Sequence, residues 1–326
     1  MRNFTFKGLF LTAVFMLLGC FSIQAANDDL ITKQITINLD KAGTLPNKIA
    51  SSEMYKITNL KIIGEINGTD WNMIREMAGR DNRGYGTEGK LSVLDLSEAK
   101  IVKGGDSYYP GDNCYTSNDE IGEKAFTDCS RLTSLTLPVG ITSIGYDAFA
   151  YCSGLTSLTL PAGITSIGEY AFSGCSGLTS LTLPAGITSI DKYAFSGCSR
   201  LTSLTLPAGI TSIGEFAFSY CSGLTSIYVY AEKVPRIGRY AFEGCASRKC
   251  TLYVPKGTYD NYRLSEFGYF ENIVEFDATG IDKTTTSTDV EEVSRYSVNG
   301  QRLAVPVKGL NIVKYSDGTV RKVVVK

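Results

Sequence analysis

The fold class this sequence predicts is a leucine-rich-repeat solenoid, and three features of the chain predict it. A 23-residue unit, CSGLTSLTLPAGITSIGEYAFSG, begins at Cys152 and returns with few changes at Cys175 and Cys198. Cysteines at 129, 152, 175, 198 and 221 keep that spacing, and Cys245 follows after 24. Within each unit the leucines fall as LxxLxL. A fixed period in the twenties built on that spacing makes each repeat one coil that cannot bury its apolar face alone, so the coils must stack.

Each element of a coil follows from its residues. From Leu155 to Pro161 the apolar residues end in strict alternation, which makes a short strand with Leu158 and Leu160 inward and Ser157 and Thr159 outward. Pro161 ends that strand. Ile164 and Ile167 then give a short extended piece, and Ala171-Phe172 ahead of Cys175 predict a short helical turn on the back. Stacked coils place like residues in columns about 4.8 Å apart. The inner columns are leucine, isoleucine, cysteine and the phenylalanines Phe126, Phe149, Phe172, Phe195, Phe218 and Phe242.

The repeated pattern LxxLxLPxxIxxIxxxAFxxC, which runs from about residue 121 to 255, resembles the BspA-type leucine-rich repeats of bacterial surface proteins. The resemblance implies a protein secreted from, or held on the outer surface of, a Gram-negative bacterium of the Bacteroidota type. It also implies binding of other proteins, host extracellular proteins among them, rather than catalysis.

In chain order, residues 1–25 read as a signal peptide: Arg2 and Lys7 precede an apolar run from Gly8 to Leu18 that is short for a membrane span. Cleavage after Ile23-Gln24-Ala25 fits the polar residues that follow. Leu17-Leu18-Gly19-Cys20 resembles a lipobox and offers Cys20 as an alternative lipidated first residue, less well because leucine is an unusual residue before that glycine. Residues 26–90 form an amino-terminal cap region with a degenerate repeat. ITINL from Ile35 is an opening strand, Ile57 to Ile62 fits LxxLxL, and GTDWNMIREMA is a helix capped by Thr69 or Asp70. Trp71, Ile74 and Met77 share one face of it, as a lid over the first coil requires, so Trp71 is a core residue and not a sugar platform. The solenoid with its carboxy-terminal cap occupies 91–276. Its first coil is lengthened by GGDSYYPGDNCYTSNDE, an insertion that makes Tyr108, Tyr109 and Tyr115 surface candidates. At the far end KGTYDNYRLSEFGYFENIVEF closes the array. Residues 277–292 are a threonine-rich linker. Residues 293–326 carry Asn299-Gly300 and Asp317-Gly318 between alternating runs, two hairpin signals of a small β-unit. That tail resembles the sorting domains of Bacteroidota-type surface proteins, which implies delivery or anchoring.

Composition narrows the chemistry. The chain has 32 basic and 33 acidic residues and no basic run, so neither nucleic acid nor an anionic membrane is a natural partner. Histidine is absent, which removes the usual general base, the Ser-His and Cys-His nucleophile pairs and most zinc sites. No phosphate loop or calcium loop is present. The expectation is a binding protein with no catalytic residue, cofactor or metal. The cysteines read as a packing column: they lie one per coil and point the same way, so neither metal ligation nor the roughly 90° disulfide dihedral suits them. Cys245 and Cys250, in the irregular cap, are the pair placed to differ.

Outward columns hold the binding candidates. The strand face presents Ser134, Ser157, Ser180 and Ser203 beside Thr136, Thr159, Thr182 and Thr205, an uncharged hydroxyl array that suits an exposed parallel strand. Tyr170, Tyr193, Phe216 and Tyr240 form an aromatic column that covers the outer edge of the core. The strand face changes at Tyr228, Tyr230 and Tyr253, with Lys233 and Lys256 nearby, and these five are the candidate ligand-binding residues. Packing under the closing cap, whose Tyr259, Tyr262 and Phe267 need partners, is the competing account of the three rings. A protein partner is the leading expectation, and a polysaccharide of a glycan-uptake system is the alternative.

Overall fold

The computed structural model describes residues 29–109, 111, 113–278, 292–297, 302–303, 309–315 and 320–325. The signal peptide, Cys20, all but the ends of the 277–292 linker and both turn dipeptides of the tail lie outside the described residues.

Ile35 and Ile37 alternate with Thr36 and Asn38, and this stretch forms β1 (Ile35–Leu39), parallel and in register with β2 (Asn59–Ile66). Helix α1 (Gly68–Met77) leads to β3 (Val93–Ile101), and the insertion folds as a hairpin of β4 (Gly104–Tyr109) and β5 (Cys114–Thr116). From β6 (Glu120–Ile121) onward a coil alternates one front strand with one two-residue side strand. These are β7 (Ser134–Thr136), β8 (Ser143–Ile144), β9 (Ser157–Thr159), β10 (Ser166–Ile167), β11 (Ser180–Thr182), β12 (Ser189–Ile190), β13 (Ser203–Leu206), β14 (Ser212–Ile213), β15 (Ser226–Val229) and β16 (Arg236–Ile237). Strand β17 (Thr251–Pro255), helix α2 (Tyr259–Arg263) and β18 (Asn272–Phe276) finish the array. The front strands run β1-β2-β3-β7-β9 and β11-β13-β15-β17-β18, all parallel, so the solenoid has about ten coils. Between β9 and β11 the sheet divides, although the Thr179 N–H still reaches the Thr156 carbonyl at 3.2 Å.

The back wall differs from the expected helical turn. Each repeat there carries two left-handed residues four positions apart. One column is Lys124, Asp147, Tyr170, Tyr193, Phe216 and Tyr240; the other is Asp128, Tyr151, Gly174, Gly197, Tyr220 and Gly244. A left-handed residue interrupts the run of right-handed residues that a helix needs. Midway between them the phenylalanine N–H points instead at the next coil. Phe126 donates to the Ala148 carbonyl at 2.7 Å, and Phe149, Phe172, Phe195 and Phe218 do the same to Ala171, Ala194, Ala217 and Ala241 at 2.7 to 2.8 Å. The back is therefore an inter-coil ladder of turns.

The phenylalanines stack down the core at 5.0 to 5.5 Å with nearly parallel planes. Trp71 closes the column at one end, 5.2 Å from Phe126 and donating its indole N–H to the Ala125 carbonyl at 2.9 Å. Phe267 and Phe270 close it at the other, 5.7 and 5.3 Å from Phe242. Trp71 is thus a core residue, but α1 is not a lid over the first coil: β1 and its loop lie outside it, and the helix forms the back of the second coil. Its N-cap is Asn67, whose side chain accepts from the Thr69 N–H. Asp70, at the third helical position, is fully buried and accepts from the backbone N–H of Asn67, Gly43 and Leu45, which ties the first two coils together.

In the tail, β19 (Glu292–Ser297), β20 (Arg302–Leu303), β21 (Gly309–Tyr315) and β22 (Val320–Val325) pair antiparallel in the order β20-β19-β21-β22. The expected small β-unit is present.

The cysteine column is buried and reduced, Cys245 and Cys250 included. Each thiol from Cys152 to Cys245 donates to the phenylalanine carbonyl one coil earlier, at 3.0 to 3.4 Å. Burial pushes Cys129 up to about 11 and Cys175 and Cys250 up to about 12. An unfolded thiol ionises near 8.5, so above that pH the unfolded chain has shed protons that the folded chain retains. The expected outcome is a solenoid that ignores iodoacetamide at pH 8 until unfolded, and whose stability is full below about pH 8.5 and falls as pH rises toward 12. Titrating the urea midpoint against pH and counting labelled thiols by intact mass measures both.

Candidate functional site

The outward face of the front sheet begins as hydroxyls because parallel in-register pairing puts like residue beside like. Ser134 pairs with Ser157 and Thr136 with Thr159; Ser180 pairs with Ser203 and Thr182 with Thr205. The same register makes the tyrosines a cluster: Tyr228 follows Thr205 across the sheet, Tyr253 follows Tyr228, and Val274 follows Tyr253. The Tyr228 and Tyr253 rings stack at 4.4 Å with planes 6° apart. Tyr230 lies two residues beyond Tyr228 on the same face. Across Pro255, which pairs with Phe276, the Phe276 ring stands edge-on to Tyr230 at 5.1 Å and to Tyr228 at 6.1 Å. All four rings are half-buried. Burial raises the ionisation of Tyr228 and Tyr230 above the ordinary range, Tyr228 also through the neighbouring tyrosines. They are neutral hydrogen-bonding phenols at physiological pH.

Lys233 and Lys256 are exposed beside this cluster. The Lys256 N–H donates to the Phe276 carbonyl at 3.0 Å, which fixes its backbone next to the rings. The cation over a ring is neither of them: Lys322 Nζ, from β22 of the tail, lies 5.3 Å from the Tyr230 centroid. The named cap residues do not cover the tyrosines. Tyr262 donates its hydroxyl to the Ala231 carbonyl at 2.6 Å and packs on Phe267, which closes the core column, and Tyr259 is exposed. Phe276, which the sequence reading passed over, is the cap residue on this face. Reading NIVEF with period two would have found it, since Asn272, Val274 and Phe276 share one side.

The insertion candidates divide. Tyr108 is buried and donates to the Glu123 carbonyl at 2.8 Å, and Tyr109 is half-buried under Arg75 and Lys124; Tyr115 alone of the three is exposed. In β5 the alternation turns Cys114 and Thr116 inward and Tyr115 out, whereas Tyr108 and Tyr109 are held by the Glu123 carbonyl and by Arg75 and Lys124. The back column stacks as expected, Tyr170 on Tyr193 at 4.6 Å and Tyr193 on Phe216 at 4.8 Å. A groove of about 730 Å³ on the amino-terminal cap is lined by Lys48, Met54, Asn72, Met73, Glu76 and Asp106. Among the described residues no group of three or more acidic, cysteine or histidine side chains could hold a metal, and no helix is long and apolar enough to cross a membrane.

The fold and this face define a repeat solenoid with an aromatic cluster at one end of its strand face. Residues 119–249 match the BspA type leucine rich repeat region in six copies. No curated protein matches the chain. A leucine rich repeat protein of T. pallidum is similar in structure at 31% identity, over 42% of this chain and 63% of its own, with a TM-score of 0.40. A leucine rich cell surface protein of Faecalibacterium prausnitzii is similar at 22% identity, over 67% of this chain and 51% of its own, with a TM-score of 0.35. The pneumococcal vaccine antigen PcpA is similar at 16% identity, over 75% of this chain and 68% of its own, with a TM-score of 0.40. The chain spans less than two thirds of the first two.

Stacked aromatic pairs couple by about 1 kcal/mol beyond the area they bury. A double-mutant cycle on Tyr228→Ala and Tyr253→Ala, read by urea unfolding, should return about 1 kcal/mol of coupling; additive losses would mean the rings do not hold each other.

Proposed function

We propose that this protein is a non-enzymatic binding protein, exported to or displayed on the cell surface, that engages a protein partner at the carboxy-terminal end of its strand face. The observation that carries the reading is the four-ring cluster of Tyr228, Tyr230, Tyr253 and Phe276 on a face that is otherwise hydroxyl. Serine, threonine and proline satisfy the outward positions of the four preceding coils, so half-exposed rings there are not a requirement of the solenoid. Tyrosine suits a binding centre because it offers broad rigid area and a hydrogen-bonding tip, and truncating such an anchor costs about 2 kcal/mol or more. Lys233 and Lys256 add positive charge at the rim, which favours a partner with an acidic edge. The match of residues 119–249 to BspA-type repeats supports a surface role. The charge balance and the absence of histidine argue against nucleic acid and against acid–base chemistry.

In this reading residues 26–90 cap the array, 91–276 bind, 277–292 link, and the β-unit from 293 to 326 serves delivery or anchoring. Surface plasmon resonance against immobilised matrix proteins should find a partner whose affinity falls at least tenfold with Tyr228→Ala and Tyr230→Ala together, with the melting temperature lowered by only the few degrees that loss of the ring contacts explains. A large fall in melting temperature with affinity intact would return the rings to a packing role. Binding on a glycan array with none to proteins would favour the polysaccharide reading.

Limited proteolysis should cut between Ala278 and Glu292 and leave a resistant repeat core. Deleting the tail should abolish surface placement without altering the melting of the repeats. Loss of repeat stability with placement intact would make the tail a cap.

A further inference from the structure

The left-handed column of the back wall carries a second pair of exposed rings. Five coils place Tyr151, Gly174, Gly197, Tyr220 and Gly244 at one position, with φ between 57° and 74°. Glycine is the residue suited to that backbone, and a tyrosine there is strained. Both tyrosines are nonetheless 60% exposed. Neither contributes to the core. Each ring lies against the glycine of the following coil: a Cβ on Gly174 would stand 2.6 Å from Tyr151 Cδ1, and one on Gly244 2.8 Å from Tyr220 Cδ1. The glycines leave the rings their place. Among the described residues neither ring stacks on another aromatic and neither hydroxyl has a hydrogen-bond partner.

Both backbones are pinned. Tyr151 N–H donates to the Ser173 carbonyl at 2.7 Å and Tyr220 N–H to the Glu243 carbonyl at 2.6 Å. Three coils separate them, about 14 Å at the spacing of a parallel ladder. Between them Gly197 is uncovered by any side chain, Ser176 and Ser199 follow the cysteines beside it, and the exposed Arg200 follows Ser199. A protein interface needs a continuous apolar centre, which this strip lacks. Two fixed aromatic plates with hydroxyls between them suit a polymer that repeats an apolar C–H face and many hydroxyl groups.

We propose that Tyr151 and Tyr220 form a carbohydrate-binding face that takes a linear, neutral polysaccharide laid along the solenoid axis. This site is separate from the strand-face platform and does not rest on it.

The test is affinity electrophoresis of the mature full-length chain through gels containing a soluble mixed-linkage β-glucan, arabinoxylan or galactomannan. At least one should retard the protein. Tyr151→Gly with Tyr220→Gly should weaken that retardation at least tenfold, while the melting temperature holds or rises because glycine relieves the left-handed strain. Tyr228→Ala should leave retardation unchanged. No retardation by any of the three glycans, equal binding by the double variant, or a melting temperature lowered by the glycines would each overturn the proposal. Loss of retardation on Tyr228→Ala alone would move the glycan to the strand face and overturn it equally.

Discussion

From Phe126 to Phe218 the N–H of each back phenylalanine donates to the alanine carbonyl one coil later, and its own carbonyl accepts the thiol of the next coil's cysteine. Phe126 does both, to Ala148 at 2.7 Å and from Cys152 at 3.0 Å. These two bonds set the coil spacing at the point where the largest side chain is buried, so the ring column and the ladder share one repeat distance. The left-handed residues on either side make this possible. A helix on the back would spend its N–H groups within the coil and leave only side-chain contacts between coils. Threonine repeats the device on the front: Thr156, Thr179, Thr202 and Thr225 each donate a hydroxyl to the preceding threonine's carbonyl at 3.0 to 3.2 Å.

A ladder of this kind has no intrinsic end, and the two termini solve that differently. At the amino end the chain replaces phenylalanine by Trp71, carried on a helix whose capping aspartate also binds the loop of the coil outside it. The burial of Asp70 makes one carboxylate the joint between two coils. At the carboxy end Phe267 and Phe270 lie across the last ring of the column instead of continuing it, 43° and 74° off parallel. A tilted ring cannot pass the stack on, so the repeat stops there.

How much of this was legible in the sequence depended on whether a residue type has one structural meaning. The period, the front strands, the cysteine column and the core role of Trp71 were legible, because leucine spacing and the cysteine interval admit one arrangement. The turn-built back was not, because a tyrosine carries no sign of positive φ. Only aligning Tyr151 with Gly174, or Tyr170 with Lys124 and Asp147, reveals it. Tyr108 and Tyr109 misled for a related reason: an insertion reads as a surface loop until its hairpin pairing folds it back on Arg75 and the first coils. Phe276 was hidden by lying beyond the last repeat, where no column predicted its side.

In a repeat array the meaning of a departure from pattern depends on the direction in which it points. Inward departures, Trp71 at one end and Phe267 at the other, answer to closure, and their hydrogen bonds and ring contacts are complete. Outward departures are the aromatic rings the ladder does not need. Tyr228 and Tyr253 replace threonine on a face where threonine suffices, and Tyr151 and Tyr220 replace glycine where glycine is less strained. The first pair adds ring stacking that contributes to folding, and Phe276 stands edge-on to Tyr228, so its outward placement has a partial structural cause. The second pair rests only on glycine. The left-handed backbone is held by the inter-coil hydrogen bonds of Tyr151 and Tyr220 to Ser173 and Glu243, so the ladder accounts for the conformation and leaves only the outward ring without a structural cause.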